Sequence, residues 1–145
     1  MSGSVSEELL RIKKAENILS KYPQIDLETN HYFCKGLYAR EIIIPINTIL
    51  TGKMHKEEQI NIISKGRIIV WTENGMKEVS SGTVLVSGAN VKRIGYTLED
   101  TVWVTMHPNP LDDLSLTNLE ARLINNDLDD KLFLEVERWL GLQSR

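Results

Sequence analysis

Between residues 37 and 107 the chain is a succession of short runs rich in β-branched residues, and each is closed by a turn signal. The runs are 37–44, 48–53, 59–64, 67–72, 76–79, 83–86, 92–97 and 102–107. Pro45-Ile-Asn47, Ser64-Lys-Gly66, Glu73-Asn-Gly75, Ser80-Ser-Gly82 and Ser87-Gly-Ala-Asn90 separate them. Asn74-Gly75 is the sharpest hairpin signal, because both residue types tolerate positive φ. Eight short strands so closely spaced predict a sandwich, jelly roll or barrel. No strand–helix alternation is present, which argues against a doubly wound parallel sheet.

Helical patterns flank this zone. Ser6 can cap a first helix, with Glu7 and Glu8 in its positive first turn, and Leu9, Ile12, Ala15, Ile18 and Leu19 recur on one face until Pro23. The opposite face (Arg11, Lys13, Lys14, Glu16) reads as solvated. After His107-Pro-Asn-Pro110, Thr117 and Glu120 form a capping box ahead of Leu119, Leu123 and Ile124. Asp127 can cap a last helix with Leu132, Val136, Trp139 and Leu140 on one face and Gly141 at its end. The expected organisation is a single domain: residues 1–36 as N-terminal helix and lead-in, 37–110 as β-barrel, and 111–145 as helical tail. The extended segment 31–39 is available to add a strand to a neighbouring copy.

The net charge of −3 supplies no global attraction for nucleic acid or anionic membrane. One cysteine, Cys34, excludes an internal disulfide and fits a reducing compartment; beside Phe33 it reads as a small buried apolar residue. No signal-peptide pattern opens the chain and no apolar run reaches the ~20 residues of a membrane span. A cytoplasmic protein is the expectation.

The segment 53–66, KMHKEEQINIISKG, carries a resemblance. Counted back from Gly66, the spacing is similar to the first motif of the cupin superfamily, whose opening glycine, two histidines and glutamate fall on Asn47, Lys53, His55 and Gln59. The second motif falls on Gly82, Gly88, Asn90, Arg93 and Thr97, with Arg93 in place of its histidine and Asn90 in place of a glycine. The resemblance covers about seventy residues and implies an all-β core with flanking helices: a double-stranded β-helix, or cupin jelly roll. A closer likeness, carried by YAREIIIPINTILTGKMHKEEQINIISKG and KRIGYTLEDTVWVTMHP, is to small uncharacterised cupin-like proteins of tailed bacteriophages and bacteria. It implies a phage or bacterial origin, and a host cytoplasm if phage-encoded.

The resemblance places Lys53, His55, Gln59 and Arg93 at the barrel mouth, with His55 the one metal-ligand position retained. Protonated Lys53 and Arg93 cannot coordinate a cation. A rebuilt pair, His55 with Glu57, is the best case for a divalent metal, and otherwise no cofactor is implied. Two cations, an imidazole and an amide suit a small anionic or nucleotide-like ligand, and Trp103 is a candidate for packing against it. Alternatively, Lys53 and Arg93 face outward and pair with Glu57, Glu58 or Glu99. His107 is a candidate for the rim.

Three functions follow. The first is binding or sequestering a small anion without a metal. The second is an epimerase- or isomerase-like enzyme in which His55 and Tyr96 act as base and acid while Asp100 orients the imidazole; a metal-dependent enzyme is its variant. The third is a structural, virion or host-interaction protein with the barrel as scaffold. A homo-oligomer, a dimer or higher, is the expected assembly.

Overall fold

The computed structural model describes residues 6–143, without the side chains of 137 and 139–143. Trp139 and Leu140 therefore lie outside the described side chains.

Among the described residues nine strands form two facing antiparallel sheets. They are β1 (Glu28–Cys34), β2 (Gly36–Ile44), β3 (Ile49–Thr51), β4 (Gln59–Lys65), β5 (Arg67–Thr72), β6 (Gly75–Ser80), β7 (Val84–Ser87), β8 (Ile94–Thr97) and β9 (Thr101–Asn109). One sheet has the order β1-β2-β9-β4-β7 and the other β3-β8-β5-β6. Each of the eight expected runs contains one strand. The ninth, β1, turns back through Gly36 at φ 78° and pairs along its whole length with β2. The lead-in thus completes a sheet within its own chain.

Interior and exterior alternate along the strands. On β2, Tyr38, Arg40, Ile42 and Ile44 face the interior; on β9, Trp103, Thr105 and His107 do so. Strand register stacks these residues in layers. At the bottom Ile44 pairs with Thr101, and above it Ile42 pairs with Trp103. Arg40 pairs with Thr105, and Tyr38 with His107. The opposite sheet contributes Ile68, paired with Thr97, and Val70, paired with Gly95. Ile44, Ile63, Ile68, Val70 and Val79 form the buried core at the lower end.

Helix α1 (Glu7–Leu19) is capped by the Ser6 hydroxyl, which accepts from the Leu9 amide at 3.1 Å. Its buried face is Leu9, Ile12, Lys13 and Asn17, whereas Ile18 is exposed. The expectation that Lys13 and Glu16 belong to a solvated face is corrected. Lys13 is 1% exposed and, with Lys92, meets Glu16 and Asp129 in a buried four-membered ion cluster. Cys34 is likewise corrected: it is exposed at the end of β1.

Helices α2 (Leu116–Leu123) and α3 (Asn126–Gln143) follow the barrel. Ser115, not Thr117, caps α2, accepting from the Asn118 amide at 3.3 Å. Glu120 is drawn away from a capping box by an ion pair with Lys53. Helix α3 runs through Gly141, which does not end it. Leu119 and Leu123 pack on Tyr38, so α2 closes over the upper end of the barrel. Two backbone bonds fasten it there, Lys56 N–H to Leu123 C=O at 2.9 Å and Asn125 N–H to Met54 C=O at 2.8 Å. Among the described residues no helix is long and apolar enough to cross a membrane.

Candidate ligand-binding site

A cavity of about 460 Å³ lies between the sheets under α2. Its lower wall is apolar, built from Leu27, Ile42, Ile44, Leu50, Ile68 and Val70; its upper wall carries Arg40, Arg93, Asn61, Thr105 and all three histidines of the chain.

Arg93 faces inward just before β8. Its guanidinium donates to the Ser87 hydroxyl and lies over the Trp103 ring, 5.8 Å from the centroid. Ser87 also accepts from the Asn61 amide at 2.8 Å, while the Asn61 carbonyl accepts from Trp103 Nε1 and Thr105 Oγ1, both at 2.9 Å. This network fixes the middle layer without any acid. Arg40, on β2 at the register of Thr105, lines the same cavity from its open side and is itself solvent-exposed. Among the described residues neither arginine has an acidic partner within 4.0 Å; the Arg40 guanidinium makes no hydrogen bond there either. Burial lowers the Arg93 pKa from its usual value.

Above this layer the rings stack. His55 lies on His107 with centroids 5.1 Å apart, His107 on Tyr38 at 5.8 Å, and Tyr38 on Phe33 at 5.1 Å and His31 at 5.9 Å. The Tyr38 hydroxyl is 2.7 Å from His31 Nδ1. Burial, followed by the charges of Arg93 and Arg40, lowers the His55 pKa to about 4. Burial, followed by His55, Arg40 and Arg122, lowers that of His107 to about 4. Both imidazoles are neutral at physiological pH, so the charge of the upper wall resides in the arginines.

The expected site residues are only partly brought together. Lys53, His55, Arg93 and Trp103 line the cavity. Lys53 stands at the exposed rim and spends its charge on Glu120 of α2. Gln59 is buried behind the wall, its amide nitrogen 3.2 Å from His55 Nδ1 and its carbonyl oxygen without a partner. Glu57 is exposed and outside the cavity. The expected pairing of His55 with Glu57 is corrected: residues 56 and 57 form a bend, so the two do not share one face of a continuous strand. Tyr96 and Asp100 are also corrected as partners of His55. Tyr96 neighbours the inward Gly95 and so points outward, its hydroxyl donating to Asn47 at 2.9 Å; Asp100 accepts from the Ile46 amide at 2.8 Å beyond the lower end.

This donor set does not fit a divalent metal. The His55 and His107 rings lie face to face rather than converging on a point, and two guanidinium groups share their space. Among the described residues no three His, Cys, Asp or Glu side chains come together as a metal-binding group.

Arg40, Asn61, Thr105 and His31 escape motif-based reading, because the aligned positions lie on other segments. The alternation of β2, with Arg40 in step with Tyr38, Ile42 and Ile44, is the signal that places it inside.

No family model matches the chain, and no curated protein does. Solved structures do. The plu4264 protein from Photorhabdus luminescens is 18% identical, over 67% of this chain and 88% of its own, with a TM-score of 0.53. KdgF from Halomonas sp. is 14% identical, over 59% of this chain and 83% of its own, at 0.49. An RmlC-like cupin from Shewanella frigidimarina is 14% identical, over 57% and 82%, at 0.47. Identities this low speak to fold alone, and the likeness to bacteriophage proteins finds no support in them. With two facing antiparallel sheets, one helix before them and two after among the described residues, the chain has a jelly-roll fold, which it shares with the plu4264 protein.

Proposed function

We propose that the barrel mouth binds a small anion, in the broad sense that includes a nucleotide, and holds it without metal and without transforming it. The observation that carries this reading is the pair Arg40 and Arg93, which line one cavity with no acid within ion-pairing distance among the described residues. Among the described residues the one carboxylate lining the cavity, Glu120, is paired with Lys53 at the rim. A bound carboxylate or phosphate would therefore add a counter-charge at the arginines, and a guanidinium offers it a forked set of donors. Tyr96 points outward and so does not act with His55 as the epimerase-like reading expects; the tyrosine inside the cavity is Tyr38, its hydroxyl 2.7 Å from His31 Nδ1.

Thermal unfolding with inorganic phosphate, AMP and short carboxylates tests this, because a ligand that binds the native state raises its midpoint. The expected result is a dose-dependent rise with at least one anion, lost in Arg93→Gln. The reading fails if no anion shifts the midpoint, or if Arg93→Gln responds as the parent does.

A homo-oligomer has its own support. Ile60, Ile62, Val84, Val86, Val102, Val104 and Met106 form the outer face of β4, β7 and β9, with Ile60, Val84 and Val86 43%, 63% and 65% exposed. An apolar sheet face of this extent marks an interaction surface. A second copy of this chain, presenting the same face about a two-fold axis, is the partner proposed for it, with Glu41 and Lys65 beside the apolar patch. Light scattering is expected to show a dimer that Val86→Lys dissociates; a monomeric parent overturns the idea.

A further inference from the structure

The cavity has two chemically different ends, and their order along the barrel axis is set by strand register. Arg40 and Thr105 pair across β2 and β9, one layer above Ile42 and Trp103 and two above Ile44 and Thr101. On the facing sheet Val70 pairs with Gly95, with Ile68 and Thr97 below. The floor is close-packed because β8 carries a glycine there: a Cβ on Gly95 would come within 2.8 Å of Ile68 Cδ1 and 3.2 Å of Leu50 Cδ2. An anion between the guanidinium groups therefore has hydrocarbon beneath it and neutral rings above.

We infer that the ligand is an organic anion with an apolar body, its carboxylate-like head held between Arg40 and Arg93 and its body lying over Ile42, Leu50 and Val70. This rests on the anion reading above and deepens it. An inorganic anion or a nucleotide leaves the lower wall unused or presents it with polar groups, and burying such groups without partners is costly. A cavity of about 460 Å³ holds at most roughly twenty non-hydrogen atoms at interior packing density, room for an acid of about ten with solvent beside it. The body is aliphatic or aromatic, since the lower wall offers branched side chains and the Trp103 ring lies beside Ile42, one layer below Arg40.

Isothermal titration with seven probes tests the class: acetate, inorganic phosphate, AMP, octanoate, 3-phenylpropionate, octanamide and 3-phenylpropionamide. Octanoate or 3-phenylpropionate is expected to bind at least about tenfold more tightly than acetate, phosphate or AMP, because buried methylene or ring surface adds to affinity. The acid of the better-binding pair is expected to exceed its own amide by about tenfold, a gap that closes in Arg40→Gln or Arg93→Gln. Ile42→Thr, a partly buried wall residue, is expected to weaken that acid about fivefold more than it weakens acetate. Should that variant not fold, the seven-probe comparison on the parent protein decides alone. If acetate, phosphate or AMP binds as tightly as both larger acids, the apolar-body inference falls and anion binding stands. If no anion binds, or if the amides match their acids, both fall.

Discussion

His55 and His107 stack face to face at the top of the cavity, ring centroids 5.1 Å apart and planes 26° from parallel. Two imidazoles stacked in this way, in the field of Arg40, cannot both become charged at low cost.

Stability is therefore expected to fall on mild acidification. Both rings have folded-state pKa values of about 4, below the ordinary 6.5. Between these values the unfolded chain binds more protons than the folded one, so stability is complete above pH 6.5 and drains away as pH falls toward 4. Because both rings border the cavity, the loss is roughly 2–3 kcal/mol for the pair rather than the full sum of the two shifts. Urea midpoints at pH 7.5, 6, 5 and 4.5 measure it. A profile that is flat across this range, or one that His107→Asn leaves as steep as before, contradicts the assignment.

Arg40→Gln is expected to raise the pKa of both rings. The Arg40 charge is one of the causes that depress them, while burial, the larger cause, remains. The rise is thus partial, and imidazole NMR titration should place both rings between about 4 and 6.5. Unmoved titrations would separate Arg40 electrostatically from the stack and weaken its place in the site.

The motif glycines were legible in the sequence for a backbone reason. Gly66 and Gly82 have φ of 87° and 90°, and the two asparagines standing where the motifs have glycine, Asn47 and Asn90, have φ of 61° and 58°. Asparagine is the side chain that best tolerates this left-handed region, so turn geometry survives while ligand chemistry does not. What stayed hidden depends on distant contacts. Lys13 finds Asp129 across 116 positions, and no local pattern distinguishes it from a solvated lysine. Glu57 was misplaced because a bend at residues 56 and 57 follows His55, where the spacing alone suggests continuous strand. Arg40 was overlooked because both faces of β2 contain apolar residues, leaving its alternation indistinct.

Gly66→Ala is expected to cost far more than Gly82→Ala, although both glycines have positive φ. A Cβ on Gly66 would lie 2.2 Å from the Asp100 carbonyl oxygen and 2.8 Å from Thr101 Cα, which are backbone atoms, whereas none lies within 4 Å at Gly82. Conformational strain alone gives about 1 kcal/mol at Gly82; the added collision brings Gly66 to about 3 kcal/mol or more. Equal denaturant midpoints for the two variants would show that β5 and the 98–101 turn separate easily.

Asn61→Ala is expected to destabilise by about 2 kcal/mol. It removes the acceptor shared by Trp103 and Thr105 and the donor to Ser87, leaving polar groups beneath the arginine layer unmatched. Tryptophan fluorescence reports the change around Trp103, and urea unfolding gives its size. A variant within about 0.5 kcal/mol of the parent would mean that water substitutes for the amide without loss.

The ion cluster beneath α1 and α3 makes the last prediction. Lys13 and Lys92, 1% and 2% exposed, share Glu16 and Asp129, with Lys92 2.6 Å from Glu16 and 2.9 Å from Asp129. Both lysines lower the Asp129 pKa against the opposing effect of burial. Removing one acid strands buried positive charge, so Asp129→Leu is expected to cost roughly 3–5 kcal/mol. Removing charge evenly is different. Lys13→Met combined with Asp129→Leu leaves Lys92 with Glu16, one cation with one anion, in packing of similar volume, and is expected to recover most of the loss. The double variant's urea midpoint decides between the two roles of the cluster. Recovery means that the cluster specifies how α1 and α3 dock on the barrel rather than how firmly. A double variant as unstable as Asp129→Leu alone means that the ion pairs themselves hold the helices in place.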